Sequence, residues 1–194
     1  MDKYKRLLSN VLTFGIGTFG SKLLVFLLMP YYTNILSSAE YGTANLVTNV
    51  SNLLMPIFSV GIASAVIRFA LDKAFNKATV FTGALVCIFG GFILFFLTSP
   101  LIFSIPFMEP VKDYSLLILF FVLFSALKSS CSVFVRSMQY VKLFALDGIL
   151  STLITIILNI VFLSVFQLGI VGYILATVCG DFISVIFLFF MASL

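Results

Sequence analysis

Residues 14–32 read FGIGTFGSKLLVFLLMPYY. A membrane-crossing helix needs about 20 mostly apolar residues, and this run supplies them. Yet Lys22 sits near its middle, where a charge costs roughly 2.5–3.5 kcal/mol on insertion scales. A segment that keeps such a charge faces protein or water there, so the fold must provide a polar interior. The preceding MDKYKRLLSN is basic, and the apolar run is longer than the ~7–15 residues of a signal-peptide core and carries no small-residue cleavage site. The reading is a retained first helix.

Outward from this stretch the pattern repeats. The chain has 194 residues, 62% hydrophobic and 9% charged, whereas soluble domains average about 45–50% apolar and about 25% charged. One soluble core of this size cannot hide so much apolar surface, so the expected class is all-α, polytopic and membrane-embedded. Six segments are long and apolar enough to span: roughly 10–33, 41–67, 79–98, 114–136, 145–166 and 169–191. The connection between the third and fourth contains Pro100, Pro106 and Pro110, so it is not helical throughout and is expected at the interface. Residues 1–194 are read as a single six-helix lobe.

Charge sets the orientation. Lys3, Lys5 and Arg6 precede the first segment, Arg68, Lys73 and Lys77 follow the second, and Arg136 and Lys142 follow the fourth. The alternate connections carry Lys112 alone. The positive-inside rule therefore puts both termini of a multi-pass membrane protein in the cytoplasm. The net charge of +4 is spread over these loops rather than along a phosphate-tracking stripe, so no nucleic-acid partner is expected. Cys87, Cys131 and Cys179 fall inside apolar runs and read as small hydrophobes.

Polar residues recur at helical spacing. Asn45, Thr48, Asn49, Asn52, Pro56 and Ser59 share a face of the second segment, with a kink expected at Pro56. Ser125, Lys128, Ser129, Ser132 and Arg136 do so on the fourth, Asp147, Ser151, Thr155 and Asn159 on the fifth, and Tyr173, Thr177, Asp181 and Ser184 on the sixth. The third has almost none and is expected to face lipid. Small polar residues can simply fasten helices together; four aligned stripes can also line a shared wet cavity. Lys22, Lys128 and Asp181 all fall near the midplane, with a formal surplus of one positive charge. On this reading Lys22, Lys128, Asn45, Asn49 and Asn52 line a cavity suited to an anion. In the structural alternative Asp147 pairs with Lys128.

Other motifs carry less. SSAE, Ser37 to Glu40, has capping-box spacing ahead of the second segment. GIGTFG follows no strand and lies within an apolar helix, so it is not a nucleotide loop. The chain has no histidine and no zinc, Walker or DxD spacing. No enzyme activity, cofactor or metal is expected.

Three stretches in order resemble one family. They are SKLLVFLLMPYYTNILSSAEYG (21–42), GIASAVIRF (61–69) and VRSMQYVKLFALDGILSTLITIILNIVFLSVFQLGIVGYILATVCGD (135–181). They resemble the polysaccharide-biosynthesis flippases of the multidrug/oligosaccharidyl-lipid/polysaccharide exporter superfamily. The resemblance implies one lobe of a MATE-like, two-lobed transporter that moves a polyprenyl-pyrophosphate-linked oligosaccharide across a bacterial cytoplasmic (inner) membrane. Its anionic headgroup would meet Lys22 and Lys128, and Asp181 would be a coupling site. Family members have twelve or more helices, and this chain's last segment falls where a first lobe ends. The expectation is an N-terminal half completed by a second lobe or a second copy. Two other readings stay open: a cation-coupled drug or metabolite antiporter of the same superfamily, and a non-transporting membrane partner in a glycan-synthesis complex.

The charge count makes a direct prediction. A cysteine placed in the connection between the second and third segments should resist an impermeant thiol reagent added to intact cells. Labelling from outside would reverse the orientation.

Overall fold

The computed structural model describes residues 15, 19–20, 22–23, 26–72 and 75–192. Among them there are helices and turns and no strand, so the protein is an all-α, polytopic membrane protein. Among the described residues four helices are long and apolar enough to cross a bilayer, five where the bent pair is counted as one span. Of the first expected segment, 10–33, about half lies outside the described residues; Lys22 is helical and exposed.

Helix α1, Met29–Ile35, carries Pro30 in its first turn, where a missing N–H leaves no gap in the ladder. The chain breaks at Leu36 and restarts at Ser37. The expected capping box forms there: the Glu40 amide donates to Ser37 Oγ at 3.3 Å, and the Ser37 amide donates to Glu40 Oε2 at 2.9 Å. Helix α2 then runs Ser38–Phe58. It buries Ala44, Val47, Ser51 and Leu54, the three- and four-residue rhythm of one face.

The second expected span is two helices. Helix α2 passes through Pro56 and ends two residues later; α3, Ile62–Leu71, leaves at 50°. Pro56 lacks the N–H that would continue the ladder. Val60 and Gly61 then both adopt left-handed backbone, at φ 53° and 57°. Glycine takes that conformation freely, but a β-branched residue does so at a cost of about 1–2 kcal/mol. The bend thus falls a turn beyond the proline.

Helix α4, Lys77–Ile102, is capped by Asn76, which accepts from the Ala78 amide at 3.0 Å. It extends through Pro100, beyond the expected end, and a 3-10 helix over Pro106–Tyr114 leads into α5, Ser115–Ser137. Helix α6, Val141–Ile160, continues as a π-helical turn over Val161–Val165, and α7 spans Gly169–Ala192.

Helix α5 is the hub, packing against α2, α3, α4 and α7, while α6 lies chiefly along α7. One core gathers Val47, Phe95, Ile118, Phe121 and Ile174; a second gathers Val66, Phe81, Phe134 and Leu188. Helix α4 turns Val86, Leu97 and Leu101 outward, as expected of a lipid-facing helix. In lipid the attraction between helices comes from close packing rather than from expelling water. Gly91 illustrates it: a Cβ there would lie 1.7 Å from the Phe58 carbonyl oxygen, at the bend. Gly91→Ala should therefore lower the midpoint of thermal unfolding in detergent, with a cost on the order of 1–3 kcal/mol. Gly90→Ala, where a Cβ meets nothing within 4 Å, is the matched control and should leave it unchanged.

Candidate functional site

Three of the four polar stripes converge. The fourth, fifth and sixth expected segments became α5, α6 and α7. Together with Leu28 and Tyr32 at α1 they enclose a cleft of about 240 Å³. Lys128 comes from α5, Ser151, Thr155 and Asn159 from α6, and Tyr173, Thr177 and Asp181 from α7.

The centre of the cleft is an ion pair. Lys128 Nζ donates to Asp181 Oδ1 at 2.8 Å. Ser125, three residues earlier on the same face of α5, donates to Asp181 Oδ2 at 2.5 Å. The side chains of Lys128 and Asp181 are 26% and 10% exposed, so the pair is largely withdrawn from the surface. Three residues beyond Asp181, Ser184 donates to Asp147 Oδ1 on α6 at 2.5 Å. Asp147 is buried and within electrostatic reach of both Lys128 and Asp181. Polar contacts thus join α5 to α7 and α7 to α6 through successive turns of α7.

The close approach of α6 and α7 depends on Gly180. A Cβ there would fall 2.2 Å from Thr155 Oγ1. Beyond it, Asn159 donates its amide N–H to the Thr155 carbonyl at 2.9 Å, while its own carbonyl oxygen is buried without a donor among the described residues. A tyrosine cluster closes the far end. Tyr32 meets Tyr173 edge-on at 5.1 Å and stacks near Tyr41 at 6.2 Å, and Tyr31 bonds Ser164 Oγ at 2.7 Å.

The expected site residues divide. Lys128 and Asp181 are brought together, and Asp181 rather than Asp147 is the partner of Lys128. Lys22 is exposed, outside this cleft, and without a carboxylate partner among the described residues. Asn45 is half-buried, Asn49 and Asn52 are exposed, and none of the three lines the cleft. The reason is rotational. Helix α2 commits its Ala44–Val47–Val50–Ser51–Leu54 face to the bundle, and at about 100° per residue the three asparagines fall on the far side, roughly 150° around the helix from the middle of that face. Tyr32 and Thr152 line the cleft and were not singled out in the sequence. The grouping of Tyr31, Tyr32 and Tyr41 at the junction of two apolar segments is the signal that could have found the first, since such rings collect at membrane interfaces.

Fold and site together define a class: a multi-pass helical membrane protein with an ion pair set in a polar cleft between helices. The family model described as polysaccharide biosynthesis protein matches residues 7–193, and the chain belongs to that family. No curated protein and no solved structure matches it.

The ion pair predicts a stability pattern. Breaking a withdrawn pair strands its partner, at about 2–5 kcal/mol. Lys128→Met and Asp181→Leu should each lower the thermal midpoint in detergent, and the double variant should recover most of the loss. Additive losses would mean that the two side chains are not coupled.

Proposed function

We propose that the chain takes part in moving a polyprenyl-pyrophosphate-linked oligosaccharide repeat unit across the cytoplasmic membrane during cell-surface polysaccharide biosynthesis. It acts as a carrier rather than an enzyme. Family membership supports a role in polysaccharide biosynthesis. The observation that carries the finer reading is the Lys128–Asp181 pair, an intramembrane charge pair exposed to a cleft large enough for a ligand.

The pair suits a carrier because it can exchange partners. A pyrophosphate entering the cleft competes with Asp181 for the Lys128 ammonium. Asp181 then keeps Ser125 as its donor, and a cation or proton taken up there would balance the charge. Lys22, exposed on its helix, meets the same headgroup without first giving up a carboxylate. The lipid tail stays in the bilayer while the headgroup passes between helices. Alternating access of this kind places substrate between two helical bundles, so a second lobe or second copy completes the path. The loop charges support cytoplasmic termini.

The test is complementation in a bacterial strain in which this gene is the sole copy. Lys22→Ala should cut surface polysaccharide at least about tenfold, the effect of losing one charge-assisted hydrogen bond, with the protein still in the membrane fraction. Lys22→Arg should retain export. Lys128→Met/Asp181→Leu should insert normally and fail to export. Normal export by Lys22→Ala and by the double variant would sink the anion-carrier reading.

A further inference from the structure

The α6 wall of the cleft has an uneven hydrogen-bonding capacity. A serine or threonine hydroxyl has one hydrogen and two lone pairs. Thr152 donates its hydrogen to the Gly148 carbonyl at 2.8 Å, and Thr155 to the Ser151 carbonyl at 2.8 Å. On α7, Thr177 donates to the Tyr173 carbonyl at 3.5 Å. In each case the hydrogen is committed to the helix's own backbone, and what remains for the cleft is lone pairs. Asn159 adds a stronger acceptor. It is only 2% exposed and lines the cleft, and its Oδ1 has no donor among the described residues. A buried amide carbonyl without a donor costs roughly 1–3 kcal/mol, so the site is incomplete without something that donates.

We propose that this wall is a subsite for one neutral, hydroxyl-rich sugar ring, whose O–H groups donate to Asn159, Thr155 and Thr152. The inference rests on the glycan-carrier reading and adds to it where the uncharged part of the substrate is held. Its occupant follows from the surroundings. A wall of acceptors calls for a ligand with several donors. A cation would seek a carboxylate as well, but the one that lines the cleft, Asp181, is already held by Lys128 and Ser125. A neutral polyol needs no carboxylate. Tyr32 and Tyr173 present ring surface at the same cleft, against which the C–H face of a sugar can pack. The volume of about 240 Å³ is below the ~300–1,000 Å³ of drug-sized sites, which suits a single ring rather than an oligosaccharide.

Saturation-transfer NMR tests this without transport. The protein is held in nanodiscs, and the probes are free glucose, galactose and N-acetylglucosamine at millimolar concentration. At least one should receive saturation on its ring protons. Asn159→Leu and Thr155→Val should each weaken its apparent affinity by about tenfold or somewhat less, the effect of one lost hydrogen bond. Thr155→Val keeps the β-branched shape, so a packing failure in the asparagine variant does not decide the outcome. Lys22→Ala should leave sugar binding unchanged. Saturation of none of the three sugars, or equal affinity in parent and both wall variants, would overturn the subsite. So would displacement of the bound sugar by tetramethylammonium at equal concentration, which would mark the wall as a cation site. Loss of export in Lys22→Ala with no sugar signal would remove the subsite and leave the carrier reading. Sugar binding with normal export by both Lys22→Ala and the Lys128→Met/Asp181→Leu variant would remove the anion-carrier reading and leave the subsite.

Discussion

The polar contacts that join α5, α6 and α7 are built around the Lys128–Asp181 ion pair. A charge in an apolar medium is costly by itself, and a pair recovers the loss only when geometry and additional hydrogen bonds are good. Here the lysine holds one carboxylate oxygen at 2.8 Å and Ser125 holds the other. Neither helix could move a turn along the other without exposing an unpaired charge. The pair therefore fixes the register of α5 against α7. Ser184 and Asp147 repeat the arrangement one turn further on, tying α7 to α6. Apolar packing in lipid discriminates weakly between registers, because lipid tails are as good a partner as leucine. Polar contacts of defined direction supply the discrimination.

The same pair changes the charge balance within the membrane. Along the sequence, Lys22, Lys128 and Asp181 sum to one positive charge. In space, Asp147 joins Lys128 and Asp181 while Lys22 stands apart. The enclosed group then has two carboxylates and one ammonium. Affinity for an anion cannot come from that group at rest; it has to come from Lys22 or from release of Lys128. Asp181 holds Lys128, and Lys22 is left without a carboxylate among the described residues.

Much of this fold was legible from local chemistry. The Ser37–Glu40 box, the ends of α5 and α7, and the outward-facing α4 follow from capping, hydropathy and the lack of polar residues. Three of four polar stripes met as their spacing implied. Helix α2 did not fit, because periodicity shows that a face is polar without showing what it faces. Its asparagines share a face, but the bundle took the opposite one. The bend likewise moved from Pro56 to Val60 and Gly61. A proline removes one hydrogen bond, and the chain turns where left-handed backbone is next adopted, at Val60 and Gly61. Asn159 was legible as a stripe member, but its unpaired carbonyl depends on where Thr155 and the α7 backbone come to lie.

The acceptor character of the cleft has a general physical origin. In a membrane helix a serine or threonine hydroxyl has no water to donate to, and the carbonyl one turn back is always within reach. Its hydrogen goes there. A stripe of hydroxyls that looks amphoteric in the sequence therefore presents lone pairs to whatever lies opposite. Thr152, Thr155 and Thr177 all follow this rule. Donors must then come from charged groups, from tyrosine hydroxyls or from the ligand. In this cleft Lys128 supplies them at one end and the tyrosines stand at the other. The stretch between, along α6, is the part that a donor-rich ligand would complete.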